Sequence, residues 1–208
     1  MKVLATLFAS AALGLAVLTP VSAATVNSVV DFNDGTSSGG PIKTYVEDGF
    51  SFYDARIVGG PCEFPGADKC AALNKHEATI LTRIGGGMFD LTSIWFYLNG
   101  KSEDLTNSLV IFDTNNTSNR VELTQADYAH NTGHTVALSF LGVTSITFES
   151  GGSILFDEKG KELKDQGNAR FDTAGLSYEL PPVPLPAAGW MMIAGLGGLA
   201  ALRRRKRA

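Results

Sequence analysis

Residues that most often build metal and nucleotide sites are scarce in this sequence. Its 208 residues include only two cysteines and three histidines, and neither paired C-x-x-C motifs nor an H-E-x-x-H motif is present. Those absences exclude the usual zinc-ribbon and zincin centres. There is also no P-loop and no G-x-G-x-x-G motif that follows a strand, which excludes the common nucleotide-binding folds.

Basic residues are few between residues 24 and 180. This region holds all 21 acidic residues of the chain against 11 lysines and arginines, so its formal charge is −10. Nucleic-acid affinity depends on cationic side chains that neutralise phosphates, so this region is not expected to bind DNA or RNA. Since 44% of the whole chain is hydrophobic, there is enough apolar material for the core of one domain.

Long hydrophobic runs occur only at the two ends of the chain. After Lys2, an apolar run extends from Val3 to Leu18, and Pro20 and the small residues up to Ala24 follow it. This pattern predicts that residues 1–23 are a secretory signal peptide, removed by signal peptidase after Ala23, with Ala24 as the second choice of site. A retained anchor is the alternative, but the run is short for a membrane-spanning helix.

The C-terminal end has three parts. Four prolines between residues 181 and 186 predict a stiff extended spacer, because proline neither continues a helix nor pairs in a central strand. Residues 187–202 carry no charge and would form about 24 Å of transmembrane helix. Residues 203–208 form a basic tail, which the positive-inside rule places in the cytoplasm, with residues 24–180 outside.

This tripartite end resembles a known sorting signal. The motif Val183-Pro184-Leu185-Pro186-Ala187, the short apolar helix and the tail Arg203-Arg204-Arg205-Lys206-Arg207 together resemble the VPLPA variant of the PEP-CTERM sorting domain. The resemblance implies export across the inner membrane of a Gram-negative bacterium and transient anchoring there. It also implies cleavage by an exosortase near Pro186, release to the cell surface or extracellular space, and a link to exopolysaccharide or biofilm. A Gram-positive sortase substrate is the alternative, although Ala188 stands where that motif needs threonine.

The region between the sorting signals predicts an all-β fold. Short segments of alternating polarity are separated by turn residues such as Asn99-Gly100, which is typical of a jelly-roll-like β-sandwich. The expected strands are 26–32, 43–47, 50–57, 78–84, 91–98, 108–113, 119–123, 134–141, 143–149, 153–157 and 169–179. With Phe32 near its start, the segments 87–94 and 141–148, and the closing Phe171-Asp172, the body also resembles the jelly-roll bodies of PEP-CTERM proteins, which in turn look like carbohydrate-binding modules.

One strand presents two aromatic residues on one face. Alternation along residues 92–98 places Ile94, Phe96 and Leu98 on the core side and Trp95 and Tyr97 on the opposite side. Flat aromatic rings stack on sugar rings, so Trp95 and Tyr97 are a candidate exposed platform for a glycan. The alternative is a central strand that is covered on both faces.

The two cysteines predict a disulfide. Cys62 and Cys70 are the only cysteines in a chain that is expected to reach an oxidising compartment. A metal pair is the poorer alternative, because neither a second pair nor a nearby histidine supports it.

Oxygen-bearing side chains close to the start of the body suggest a calcium site. Asp31 and Asn33 lie in one short segment, and pairing of the first and last strands would bring Asp172 close to them. Carboxylate and amide oxygens suit a hard cation such as Ca²⁺, so structural calcium is the one candidate cofactor. The alternative is a turn capped by an Asx side chain without metal.

These features favour a non-catalytic function. The expected protein is a surface or extracellular-matrix protein associated with exopolysaccharide or biofilm, and glycan binding by its β-sandwich is the candidate activity. A secreted glycan hydrolase is the alternative class, since acidic residues are plentiful, but no acidic motif of a known hydrolase type is present.

Overall fold

The computed structural model describes residues 23–33, 36–37, 43–59, 62, 69–74, 77–99, 107–152, 159–160, 168–181, 195–197 and 203. The chain divides into two compact units. Thr25–Glu179 form one of them, and Met1–Ala24 with Leu180–Ala208 form the other.

The body unit is all-β, as the alternating pattern predicts. Its described residues form these strands: β1 Thr25–Val30, β2 Thr36–Ser37, β3 Lys43–Glu47, β4 Phe50–Gly59, β5 Lys69–Leu73, β6 Ala78–Arg83, β7 Phe89–Asn99, β8 Ser108–Asp113, β9 Asn116–Thr124, β10 Gly133–Val143, β11 Ser145–Gly151 and β12 Asn168–Glu179. Two of these were not predicted, the short β2 and the longer β5. The strand predicted over residues 153–157 lies outside the described residues.

The strands form an antiparallel β-sandwich of two faces. The first face has the order β10-β7-β12-β5-β4, with β1 beside β12, and the second has the order β4-β6-β11-β8-β9, with β3 and then β2 beside β4. Strand β4 belongs to both faces: Phe50–Tyr53 pair with β6, and Arg56–Gly59 pair with β5. The change of partner falls at Asp54, whose φ of 58° bends the strand.

Aromatic side chains fill the space between the two faces. Phe171 on β12 stacks on Phe148 of β11, with ring centroids 4.5 Å apart, and Phe32 and Phe52 pack edge-on to each other beside them. All four rings have no exposed surface. The predicted core residues Ile94, Phe96 and Leu98 of β7 are buried as well, which confirms that face of the strand.

Little of the terminal unit is described. Gly195–Gly197 are helical and Arg203 is also in helical conformation. The rest of the expected transmembrane segment, the sorting motif Val183–Ala187, the signal peptide up to residue 22 and the other basic tail residues lie outside the described residues. Within the described part of the chain, no helix is long and apolar enough to cross a membrane.

Candidate functional site

The aromatic pair predicted as an exposed platform is buried, so that prediction is wrong. Trp95 is 3% exposed and Tyr97 is 9% exposed, and their rings stack with centroids 6.4 Å apart. Strand β7 lies between β10 and β12 in its sheet, and the Trp95 indole lies against Gly133 of β10. The alternative of a central strand covered on both faces describes this arrangement.

The start of β10 is in close contact with these rings. Gly133 pairs with Tyr97, and a Cβ atom at position 133 would overlap the indole ring of Trp95. The Tyr97 hydroxyl donates a hydrogen bond to Asn131 Oδ1 at 3.2 Å. Glycine at 133 therefore allows the backbone to lie directly on the indole, which leaves no room for a ligand there.

The predicted disulfide is present. Cys62 and Cys70 are bonded, with a Cα–Cα distance of 5.7 Å, and both are buried. Cys70 belongs to β5, so the bridge ties Cys62 to the start of that strand. A closed loop of about nine residues stabilises the fold by roughly 2.5 kcal/mol in the chain-entropy model.

The segment predicted to bind calcium lies beside a buried carboxylate that the sequence did not point to. Glu47, at the end of β3, is only 8% exposed. Its Oε2 accepts hydrogen bonds from the Phe32 amide at 3.0 Å and from the Tyr45 hydroxyl at 2.7 Å. Burial raises the pKa of Glu47; the Tyr45 hydrogen bond opposes this rise, and the Asp31 carboxylate adds to it.

Asp172 is the most deeply buried of these acids. Its side chain has no exposed surface; Oδ1 accepts a hydrogen bond from the Thr173 amide, and Oδ2 has no hydrogen-bond partner. Burial is the main cause that raises the pKa of Asp172 to about 7, and the Asp31 and Glu47 carboxylates raise it further, against the Thr173 hydrogen bond. The three acids therefore act on one another electrostatically.

Two residues beside these acids have an unusual backbone conformation. Phe32, next to Asp31, has φ 58°, and Thr173, next to Asp172, has φ 44°. Residues with side chains seldom adopt this left-handed region, and such conformations persist only where surrounding structure holds them. Asp31 Oδ1 accepts the Asn33 amide at 3.0 Å, so the predicted Asx turn is present.

The structure brings together only two of the three predicted calcium ligands. Asp31 and Asp172 come together with Glu47, whereas Asn33 Oδ1 accepts the Lys69 amide at 3.2 Å. Across the described residues, no group of three or more His, Cys, Asp or Glu side chains could hold a metal ion.

A second feature is an open cleft on the outer side of the second face. It has a volume of about 370 Å³, and we call it the outer cleft. Its lining residues come from β8, β9 and β11: Val110, Phe112, Thr117, Arg120, Glu149 and Gly151.

Strand register places these side chains on the same side. Val110 pairs with Glu149 and Glu122, and Phe112 pairs with Arg120. Directly opposed residues project to the same face of a sheet. The apolar run of β8 predicts a strand buried on both faces; Leu109 and Ile111 are fully buried and Val110 on the opposite face is 9% exposed, whereas Phe112 keeps part of its surface exposed.

The charges beside Phe112 remain accessible. Arg120 Nη2 lies 3.3 Å from Glu122 Oε2, and about half of each of these two side chains is exposed, 53% and 47%. The outer cleft thus combines an aromatic ring, hydrogen-bond donors and carboxylate acceptors on one open surface. In the sequence, the alternating charged residues of the pattern N-R-V-E-L in β9 indicate that this face of the strand is exposed to solvent.

No protein-family model and no curated protein matches the chain. Among solved structures, the chain is similar to the K3 cleaved adhesin domain of Lys-gingipain from Porphyromonas gingivalis, with 11% identity, a TM-score of 0.37, and coverage of 74% of this chain and 100% of that one. It is also similar to the CBM22-1-GH10 modules of xylanase 10B from Clostridium thermocellum, a structure complexed with xylohexaose. That match has 12% identity and a TM-score of 0.36, and it covers 75% of this chain and 29% of that one. Both TM-scores are below 0.5, so neither likeness assigns a ligand or an activity to this chain.

Proposed function

We propose that this chain is an exported, non-catalytic surface or matrix protein whose jelly-roll-like β-sandwich binds a saccharide in the outer cleft. The observation that carries this proposal is the combination of Phe112, Arg120 and Glu149 on one accessible face. An aromatic ring can stack on the C–H face of a sugar, while a guanidinium donates to sugar hydroxyls and a carboxylate accepts from them.

Export and sorting are supported by the order of segments along the chain. A signal-peptide pattern precedes the body, and the VPLPA motif, an uncharged segment and a basic tail follow it. The Cys62–Cys70 disulfide fits an oxidising compartment. In this proposal the protein is anchored in the inner membrane of a Gram-negative bacterium by residues 187–202, and an exosortase of the PEP-CTERM system then releases it to the surface or matrix.

The acidic residues that the structure describes support a hydrolase function less well than they support binding. A glycosidase needs an acid with a raised pKa beside the scissile bond. Asp172 has a pKa raised to about 7, but its side chain is fully buried and a polysaccharide cannot reach it. Glu47, whose pKa is also raised, is almost as inaccessible.

Mass spectrometry of protein extracted from the surface of the source bacterium tests the sorting proposal. The mature form is expected to begin at Ala24 or Thr25 and to end near Pro186. A Pro186→Ala variant should keep its tail and remain in the membrane fraction, because the cleavage motif is altered. A mature surface form that still carries the tail Arg203–Arg207 would contradict exosortase processing.

Affinity electrophoresis of the exported protein, in gels that contain exopolysaccharide of the source bacterium, tests whether the outer cleft binds saccharide. Phe112→Ala should weaken retention about fivefold, since one aromatic stack contributes roughly 1 kcal/mol. Leu141→Ala is the matched control, because Leu141 is a large apolar residue of β10 that is 65% exposed and lies on the other face. Equal retention of the two variants would refute the cleft, and release of reducing sugars by the wild type would favour the hydrolase instead.

A further inference from the structure

We propose that one end of the body docks on the surface of the lipid bilayer while the chain is anchored, through the exposed apolar side chains of Ile84, Met88 and Leu141. We call this end the tether end. It comprises the loop of residues 84–88, the last residues of β10 and the last residues of β12. The inference rests on the proposed anchoring by residues 187–202 and does not depend on saccharide binding.

Strand register places these segments at the same end of the body. Strand β7 begins at Phe89, which pairs with Val143 at the end of β10. The next residue, Asp90, pairs with Ser177 near the end of β12, and its carboxylate accepts a hydrogen bond from the Gly142 amide at 2.7 Å. The loop that precedes β7 therefore lies beside the last residues of both neighbouring strands.

The loop between β6 and β7 is apolar and projects from the body. Its sequence is Ile84-Gly85-Gly86-Gly87-Met88, and all five residues are exposed and uncharged. A Cβ atom at Gly85 or Gly86 would have no heavy atom within 4 Å, so the middle of the loop points into open space. Loops that face water usually carry polar turn residues, so an apolar loop of this kind indicates an interaction surface.

Leu141 adds a third apolar side chain close to Met88. Leu141 is 65% exposed and Met88 is 64% exposed, the highest values among the large apolar residues of the described body. A Cβ atom at the neighbouring Gly142 would lie 3.9 Å from the Met88 sulfur. Single exposed apolar residues are common on protein surfaces, but three at one end can be buried together against an apolar phase.

The chain that leaves this end identifies the bilayer as the occupant. Strand β12 ends at Glu179, and Ala187, where the uncharged segment begins, is eight positions further along the sequence. Eight residues of fully extended chain span at most about 29 Å. While residues 187–202 lie in the membrane, the tether end is held beside the bilayer. Because a short tether gives an effective concentration on the order of millimolar, weak apolar contacts are sufficient.

The charges of the tether end favour a bilayer without net charge. Asp48, Asp90 and Glu179 lie at this end, and the basic residue among its described residues is Arg83, whose guanidinium lies over the Tyr178 ring at 3.9 Å from the centroid. An anionic surface would repel this set of charges. Docking should therefore be stronger on phosphatidylcholine than on phosphatidylglycerol, and stronger docking on the anionic lipid would overturn an apolar mechanism.

Quenching of tryptophan by brominated phosphatidylcholine tests the docking. The anchored form, purified from cells that lack the exosortase, is reconstituted into these vesicles, and bromine should quench Trp190 of the anchor. In a Trp190→Phe background, where the buried Trp95 remains, Met88→Trp should add emission that bromine quenches. Ala126→Trp is the matched control: it is exposed after β9, at the opposite end of the body, and its emission should persist.

The quenching should require the native apolar neighbours. Adding Ile84→Asp and Leu141→Asp to the Met88→Trp variant should remove it, because a carboxylate at each exposed position opposes entry into the bilayer. Quenching that persists would show that the introduced indole makes the contact by itself, and it would overturn the inference.

The outcomes distinguish docking from anchoring. If bromine quenches Trp190 in the wild type but not the Met88→Trp variant in its Trp190→Phe background, the chain is anchored and the docking is refuted. If Trp190 is not quenched, residues 187–202 do not anchor the chain, and the proposed anchoring and the docking are both refuted.

Discussion

Trp95→Ala is expected to lower the free energy of unfolding by about 3 to 5 kcal/mol, the usual loss when a buried aromatic residue is truncated. Trp95 is 3% exposed, lies in an internal strand and carries the backbone of Gly133 directly on its indole. The surrounding strands can collapse only partly into the space left by the ring. Denaturant unfolding of the exported protein, followed by circular dichroism, measures this loss.

A matched control distinguishes the effect of removing a buried ring from the effect of removing an exposed one. Tyr53 is 45% exposed on β4, so Tyr53→Ala should change stability by no more than about 0.5 kcal/mol. If Trp95→Ala retained its stability and lost only saccharide retention, the ring would be a surface platform and the buried arrangement would be incorrect.

Because Trp95 contacts Gly133, the effects of mutations at these two positions on stability should be coupled. A tryptophan on the surface would not show this coupling. Gly133→Ala alone should be destabilising, because the new Cβ overlaps the indole ring. In the Trp95→Ala background the same change should be much less harmful, since the ring is gone. A double-mutant cycle with no coupling energy between the two positions would contradict the packing of β10 on β7.

The sequence predicted most strands because polarity alternates along them. The expected bounds of β3 and β8 are those of the structure, Lys43–Glu47 and Ser108–Asp113. Strand β5 was missed because Cys70-Ala71-Ala72-Leu73 is buried throughout and has no polar alternation. A strand covered on both faces looks like any short apolar run, so periodicity alone does not identify it.

Alternation assigned each side chain to a face but did not show whether that face is covered. Trp95 and Tyr97 were correctly placed opposite Ile94 and Phe96, yet both are buried, and the Trp95 indole lies against Gly133 of β10. Phe112 gives the opposite case, since it belongs to an apolar strand and borders an open cleft. Coverage depends on which distant segments pack on a sheet, and that is tertiary information.

The acidic cluster was predictable only in part. Pairing of the first and last strands was inferred, and β1 does pair with β12, which brings Asp31 towards Asp172. Glu47 was not inferred because a glutamate at the end of a strand is normally solvated. Its burial follows from the left-handed turn at Phe32, which directs the Phe32 amide at the Glu47 carboxylate.

Phe171→Ala is expected to destabilise the protein by about 3 to 5 kcal/mol, because this ring joins the two faces of the sandwich. Phe171 belongs to β12 of the first face and stacks on Phe148 of β11 in the second, with centroids 4.5 Å apart and planes inclined by 13°. It also packs edge-on to Phe32, at 5.6 Å. Phe171→Leu, which keeps most of the volume, should cost less than about 1.5 kcal/mol.

The two rings should also be coupled to each other. A double-mutant cycle on Phe171 and Phe148, read from denaturant unfolding curves, should give an interaction of about 0.5 to 1.5 kcal/mol beyond the loss of buried area. Phe171 and Leu98 form the matched comparison, because Leu98 is buried on β7 of the same face as β12 and is not a stacking partner. If the Phe171–Phe148 coupling is no larger than that between Phe171 and Leu98, contact between the faces does not depend on stacking. The stability of the sandwich would then come from apolar burial spread over all its strands.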